Sequence, residues 1–324
     1  MIWRVVPIFG LAVFTDVNRT YVALMITTNQ LSKRYGSTLA LADLDLEVVR
    51  GEVFGLLGPN GSGKSTTIRL LLGFLQPTSG GASVNGWDCW SNSVEVRKLV
   101  SYLPGELRLI GSLSGLGMLK FLASLRGGVG LDRGVAIAER IMKLDLSRKI
   151  RNYSTGMKQK LALAQAFADP VEVLILDEPT SALDPSARGD VLELVREARR
   201  LGQTVIFSGH VLAEVEQIAD RVAIMRQGRL MHVEDMRNRQ GGRQWLLRFG
   251  GEPPERYPDH LDLRLLKREG GVALLAHDGE VGPLLGWLAT MDVVDLAVGT
   301  EDLQSLYNQY HGPDALRELE ENPA

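Results

Sequence analysis

Apolar and polar positions along the chain divide it into two unequal regions. In residues 26–36 a strand leads into Tyr35. Over residues 40–49, Leu44, Leu46 and Val48 alternate with Asp43, Asp45 and Glu47, a period of two that predicts a strand. Val53-Phe54-Gly55-Leu56-Leu57 is apolar almost without a break and reads as a buried strand. Thr67-Ile68-Arg69-Leu70-Leu71-Leu72 then predicts an apolar-faced helix. Residues 76–81 form a turn cluster, and residues 82–86 close a small antiparallel β region. Residues 113–150 carry a mainly helical pattern, broken at Gly127-Gly128. Beyond Val171, strands at 173–176, 204–208 and 222–226 alternate with helices at 186–201 and 211–220. That alternation predicts an α/β fold with a parallel sheet and crossover helices.

The composition shifts at residues 237–243, which read as a linker. Strands follow at 245–249, 261–267, 272–276 and 293–297, with helices at 281–291 and 301–310, a small α+β module. The organisation expected is a main domain over 25–236, the linker 237–243, an accessory domain over 244–312 and an acidic, disordered tail over 313–324. Residues 1–24 read as an extension. Val5 to Phe14 is apolar but broken by Pro7 and Gly10, and as a helix it spans only about 15 Å against a hydrocarbon core of roughly 30 Å. Arg4 before that run imitates a signal peptide without a convincing cleavage site. A start of translation at Met25 is the simpler expectation, since the first strand begins directly after it.

The 324 residues suffice for two domains. A formal net charge of −3 implies no strong pull toward nucleic acid or anionic lipid. The one cysteine, Cys89, excludes an internal disulfide and agrees with a reducing compartment.

Gly58-Pro59-Asn60-Gly61-Ser62-Gly63-Lys64-Ser65-Thr66 fits the phosphate-binding pattern G-x-x-x-x-G-K-[ST]. It stands between a predicted strand and a predicted helix, the context the motif requires. The glycines let successive N–H groups point inward at a helix N-terminus, where negative charge is favoured. Lys64 is placed to reach the β- and γ-phosphates of a nucleoside triphosphate, Ser65 to ligate magnesium, and Thr66 to bond a further phosphate oxygen. Val173-Leu174-Ile175-Leu176-Asp177-Glu178 is an apolar run ending in two carboxylates. Its end points into the crevice where open α/β sheets bind ligands. Asp177 suits the magnesium and Glu178 a proton taken from the attacking water. Upstream, Ser154-Thr155-Gly156-Met157 opens a helix, read either as an anion-binding device or as a plain N-cap.

The order of these motifs resembles the nucleotide-binding subunit of an ATP-binding cassette (ABC) transporter, over about residues 27–234. The resemblance implies a P-loop ABC ATPase domain: a RecA-like core with an antiparallel β subdomain and a helical subdomain. It implies ATP and Mg2+ as ligands. Tyr35 matches the aromatic that stacks on adenine, Gly58 to Thr66 match Walker A, and residues 173–178 match Walker B with Glu178 as catalytic residue. Ser154 and Gly156 match the signature loop, Asp184 of Ser181-Ala182-Leu183-Asp184 the D-loop, and His210 the switch histidine near the γ-phosphate. Thr155 and Met157 depart from the usual signature. Gly105 stands where the family has a glutamine that touches magnesium and water and leads into the membrane-coupling segment; Glu106 replaces it only if the loop shifts by one residue.

The resemblance further implies a dimer of two ATP-binding subunits, expected to be identical. It also implies a separate multi-span membrane permease docked around residues 102–124, and a place in the cytoplasm on the inner face of the membrane. The strand and helix at 292–307 are similar to the tail of subunits that export antibiotics and other hydrophobic compounds. The alternatives are a soluble ABC ATPase acting on DNA or the ribosome, and a self-resistance protein that never transports. Against the first, Lys64 and Ser154 lie too close for a long coiled-coil insertion, and the chain has a single cassette and no long basic run.

Overall fold

A computed structural model describes residues 23–237, 243–277 and 279–300, together with Leu303, Tyr307 and Tyr310. The N-terminal extension through residue 22, most of the linker and the acidic tail lie outside the described residues. In chain order the main domain runs β1 (Leu24–Tyr35), β2 (Thr38–Val49), β3 (Val53–Leu57), α1 (Lys64–Leu71), β4 (Ser79–Val84), β5 (Trp87–Asp88), α2 (Ser93–Leu99) and β6 (Val100–Leu103). It continues α3 (Gly115–Ser124), α4 (Leu131–Ala136), α5 (Thr155–Ala166), β7 (Val173–Asp177), α6 (Pro185–Arg200), β8 (Thr204–Gly209), α7 (Leu212–Ile218), β9 (Arg221–Arg226) and β10 (Arg229–Asp235).

Two sheets result. The first is antiparallel, ordered β2-β1-β4-β5; the second has the order β10-β9-β3-β8-β7-β6. The second is parallel except for β10, which returns antiparallel along β9 through a tight turn at Gln227-Gly228. Apolar runs without alternation are explained by what covers each face. In β7, Leu174 and Leu176 pack into the core shared with α3–α7, while Val173 and Ile175 pack into the core under the antiparallel sheet and α1. β3 divides likewise, with Val53 and Leu57 on one side and Phe54 and Leu56 on the other. Each such side chain contributes about 1.5–3 kcal/mol through burial. β2 alternates because one face meets solvent: Leu44, Leu46 and Val48 are buried and Asp43, Asp45 and Glu47 exposed.

The region read as mainly helical is only partly so. After α3, left-handed Gly127, Gly128 and Gly130 break the chain, and α4 passes into a wider π-type turn at Ile137–Ile141. Residues 142–149 then run irregularly, with Leu144 and Leu146 buried and the N–H of Leu116 bonded to the Leu146 carbonyl at 3.0 Å. Buried Met142, Leu146 and Ile150 fall four positions apart, a spacing that imitates helical periodicity.

The accessory region contains β11 (Arg243–Phe249), β12 (Leu263–Glu269), β13 (Val272–His277), α8 (Val281–Leu288) and β14 (Val293–Thr300). Its sheet is antiparallel, ordered β12-β13-β11-β14. Trp245, Leu247, Phe249, Ala273 and Leu275 pack against Leu284 and Leu288 of α8. Several boundaries move from the sequence reading. Arg243 opens β11, a short 3-10 turn at Asp259–Leu261 delays β12 to Leu263, and α8 stops at Leu288. Leu303, Tyr307 and Tyr310 are helical, as expected, yet Leu303 and Tyr307 are buried in the main domain's core. The Leu303 N–H donates to Glu216 of α7 at 3.1 Å, and Tyr310 stacks on His232 of β10.

Candidate active site

The P-loop hangs between β3, buried at every position, and the start of α1. Gly63 precedes α1 with φ of 107°, and a Cβ there would lie 3.1 Å from the Ala40 carbonyl oxygen; a side chain is strained by conformation and tightly placed. On Gly58 a Cβ would collide with the Met225 carbonyl oxygen. α1 has no side-chain cap, so its first N–H groups remain available to an anion. Lys64 is buried, 5% exposed, and donates to the carbonyls of Gly58 at 2.6 Å and Pro59 at 3.3 Å. Burial holds its pKa below the ordinary lysine value, opposed by the charges of Glu178 and Asp177. The hydroxyl of Ser62 is buried without a partner.

β7 and β8 carry the second half. Asp177, the last residue of β7, is buried, and Ser208 of β8 donates to its Oδ1 at 2.6 Å. Glu178 follows with φ of 50°, a left-handed backbone uncommon for a non-glycine residue. Its Oε1 lies 3.9 Å from Lys64 Nζ and its Oε2 3.1 Å from His210 Nδ1. The hydrogen bond from His210 holds the Glu178 carboxyl below the usual range, with burial opposing and the charges of His210 and Lys64 assisting. Lys64, Glu178 and His210, from three separate segments, are thus brought together. A cleft of about 740 Å³ opens beside them, lined by Asn60, Ser65, Tyr102, Gly105, Asp177 and Glu178 among others.

Ser154 caps α5, accepting from the Met157 N–H at 3.2 Å, while its residue stays exposed. The cap and an anion site are compatible, since the hydroxyl is at the surface. A Cβ on Gly156 would lie 2.9 Å from the Ala182 carbonyl oxygen, so signature loop and D-loop touch. Asp184 caps α6 through the Ala187 N–H at 2.9 Å. Tyr35 is exposed at the tip of the β1–β2 hairpin, with Lys33 Nζ 5.3 Å from its ring centre. Gly105 sits beside Asp177: a Cβ there would be 3.6 Å from Asp177 Oδ2, in ordinary contact. Glu106 is exposed on the same cleft.

With this geometry in place, the comparisons with known proteins are direct. The family model described as "ABC transporter" matches residues 41–181. The linearmycin resistance ATP-binding protein LnrL of Bacillus subtilis is 32% identical over 225 residues, covering 67% of this chain and 72% of that protein. The chain belongs to the ABC transporter family. The daunorubicin resistance ATP-binding protein DrrA3 of Streptomyces coeruleorubidus is 38% identical over 211 residues, covering 64% of this chain and 66% of that one. A dimeric post-hydrolysis structure of the ATP-binding cassette MJ0796 bound to ADP and Pi has a TM-score of 0.60 at 21% identity. It covers 66% of this chain and all of that one, a likeness of fold. This ABC protein is an ATP-binding ATPase with the fold the motifs implied.

Several contacts of this ABC ATPase were not legible as motifs. The Gly228 turn of the β9–β10 hairpin holds the P-loop, its N–H donating to the Ser62 carbonyl at 2.9 Å and its carbonyl accepting from Ala42 at 2.8 Å. Gln159 of α5 donates to the Pro179 carbonyl at 2.9 Å, and Thr180 donates to Glu214 of α7 at 2.6 Å. A Gln-Gly pair between two apolar runs was the available signal for the hairpin. Among the described residues no group of three or more His, Cys, Asp or Glu side chains is arranged to hold a metal. Ser65 and Asp177 face one cleft, with Asp177 Oδ1 already bonded. That sparse donor set fits magnesium, which takes one or two protein ligands and completes its shell from phosphate and water.

Proposed function

We propose that this ATPase works as a dimer of identical subunits that powers a separate multi-span membrane permease exporting drugs, antibiotics or similar hydrophobic compounds. The observation that carries the reading is the meeting of Lys64, Glu178 and His210 beside one cleft, with the Ser154 signature loop exposed on another element. One chain holds one P-loop and one signature loop. A head-to-tail pair supplies each triphosphate with the P-loop of one copy and the signature loop of the other. MJ0796, a cassette of the same fold, was solved as a dimer, which supports pairing.

Lys64 binds phosphate oxygens, and Glu178, ionised and oriented by His210, takes the proton of the attacking water. Ser65 and Asp177 would hold magnesium, which when bound would supply positive charge against the phosphates. Ser154, Gly156 and Asp184 complete the partner's site, and Tyr35 stacks on the base. Gly105 offers no side chain that would reach magnesium, although a Cβ there would meet Asp177 Oδ2 only at ordinary contact distance, 3.6 Å. The names of LnrL and DrrA3, both resistance proteins, support a drug or antibiotic as cargo. No described helix is long and apolar enough to cross a membrane. Exposed Phe74, 6.1 Å from the half-buried Tyr102 ring, and exposed Ile110 and Phe121 suit docking of the permease on the inner face of the membrane. Tagged protein isolated from membranes of the native organism should bring down a multi-span protein, and ATP-dependent drug efflux should need both. Recovery without any membrane protein, with resistance intact, would sink the transport reading in favour of self-resistance.

A further inference from the structure

We propose that Ser208 is a positioning residue that sets both carboxylates of the active site at once. This rests on the reading of Asp177 and Glu178 given above. Ser208 lies directly opposite Asp177 in the parallel β7–β8 ladder and is fully buried. A serine hydroxyl has one proton. Here it is committed to Asp177 Oδ1 at 2.6 Å, since an ionised carboxylate only accepts. The oxygen is therefore left to accept, and the Glu178 N–H donates to it at 3.1 Å. The same N–H also reaches the Ser208 carbonyl at 3.2 Å. Both bonds fix the residue whose backbone is left-handed at φ 50°, a conformation that persists only where the surroundings hold it.

The consequence is a division of labour. With Oδ1 bound to Ser208, Asp177 Oδ2 is the oxygen nearest Gly105. Holding Glu178 in the left-handed bend directs its side chain between Lys64 and His210. His210 lies two positions beyond Ser208, so β8 and the residue just past its end supply both the group that orients the carboxylates and the one that bonds Glu178. An alanine at 208 leaves the Glu178 N–H with the Ser208 carbonyl alone and removes the hydroxyl that fixes Asp177 Oδ1.

The test compares Ser208→Ala, Ser208→Thr and Ser208→Cys in the full chain, with Glu178→Gln as control. Turnover, KM for ATP and binding of a fluorescent ATP analogue are measured with and without magnesium, and thermal melting checks folding. Ser208→Ala should lose about tenfold to a hundredfold in kcat with KM little changed, the scale of losing a hydrogen bond to a charged group. Analogue binding without magnesium should match the unaltered chain, whereas the magnesium concentration needed for half-maximal binding should rise about tenfold. Ser208→Thr, which keeps the hydroxyl, should recover most of both. If Ser208→Ala fails to fold, a Ser208→Thr chain more active than Ser208→Cys still supports the role, and equal activity overturns it. Unchanged kcat and magnesium dependence in Ser208→Ala overturns it too. If Glu178→Gln itself keeps normal turnover, the reading of the site fails; if only Ser208→Ala does, the positioning role alone fails.

Discussion

Replacing Lys64 with methionine should separate the stability of the empty site from its affinity for nucleotide, with opposite signs. Lys64 is buried, and burial holds its pKa below that of a free lysine. The protonated form is therefore disfavoured in the folded state relative to the unfolded one. The resulting deficit is present at neutral pH and disappears only as pH rises past the ordinary lysine value of 10.5. Methionine keeps the linear stem and removes the charge, so the nucleotide-free variant should melt at or above the temperature of the unaltered chain. Nucleotide binding should move the other way. One charged hydrogen bond to phosphate is worth about 1.5–3 kcal/mol, a loss of roughly 10- to 150-fold in affinity. At ATP set to a hundred times the original Kd, ligand stabilises by about 2.7 kcal/mol. Tenfold weaker binding reduces that to about 1.4 kcal/mol, and a hundredfold weaker to about 0.4 kcal/mol. Differential scanning fluorimetry with and without ATP reads both quantities, and the ATP-induced rise in melting temperature should fall to half or less. A variant that melts several degrees lower when empty, yet keeps the full ATP-induced rise, would refute the reasoning.

Other perturbations address separate links. His210→Ala removes the leading cause that keeps the Glu178 carboxyl acidic, so the acid limb of the kcat–pH profile should move upward as well as the plateau falling; an unmoved limb would disconnect the pair. The same depression means that Glu178 contributes stability above pH 4.5 that is lost as pH falls through its lower folded value, and the variant should lose that acid resistance in a pH-dependent melt. Leu303→Ala should cost about 2–5 kcal/mol by denaturant titration, because this fully buried side chain completes the main domain's core. A cost below about 0.5 kcal/mol would mean that the C-terminal helix does not pack there.

How far the sequence carried the structure depended on which forces were local. β3, β7 and the helix after the P-loop were legible because burial on both faces, or on one, leaves a run or a period. The meeting of Lys64, Glu178 and His210 was legible only through motif order, since nothing in their spacing brings three strand ends together. β6 and β10 passed unread. Val100 to Leu103 is a short edge strand, and β10 has mixed exposure with charges at both ends. The helical reading of residues 142–149 failed because buried Met142, Leu146 and Ile150, on an irregular segment, share the four-residue spacing of a helix. Ser208 carried no signal of its own: a serine in an apolar strand gains its meaning from Asp177, which lies 31 positions away in sequence and opposite in the ladder. The packing of Leu303 and Tyr307 on the main domain was equally hidden, because a helix pattern names an apolar face without naming what covers it.

The central claim is that Glu178 drives hydrolysis of ATP held by the P-loop. The most direct measurement is phosphate release by purified Glu178→Gln beside the unaltered chain, with ATP binding measured on the same samples. Turnover should fall by about 10²–10⁴-fold, the range for losing a general base, while ATP still binds. Hydrolysis at the original rate would contradict the account.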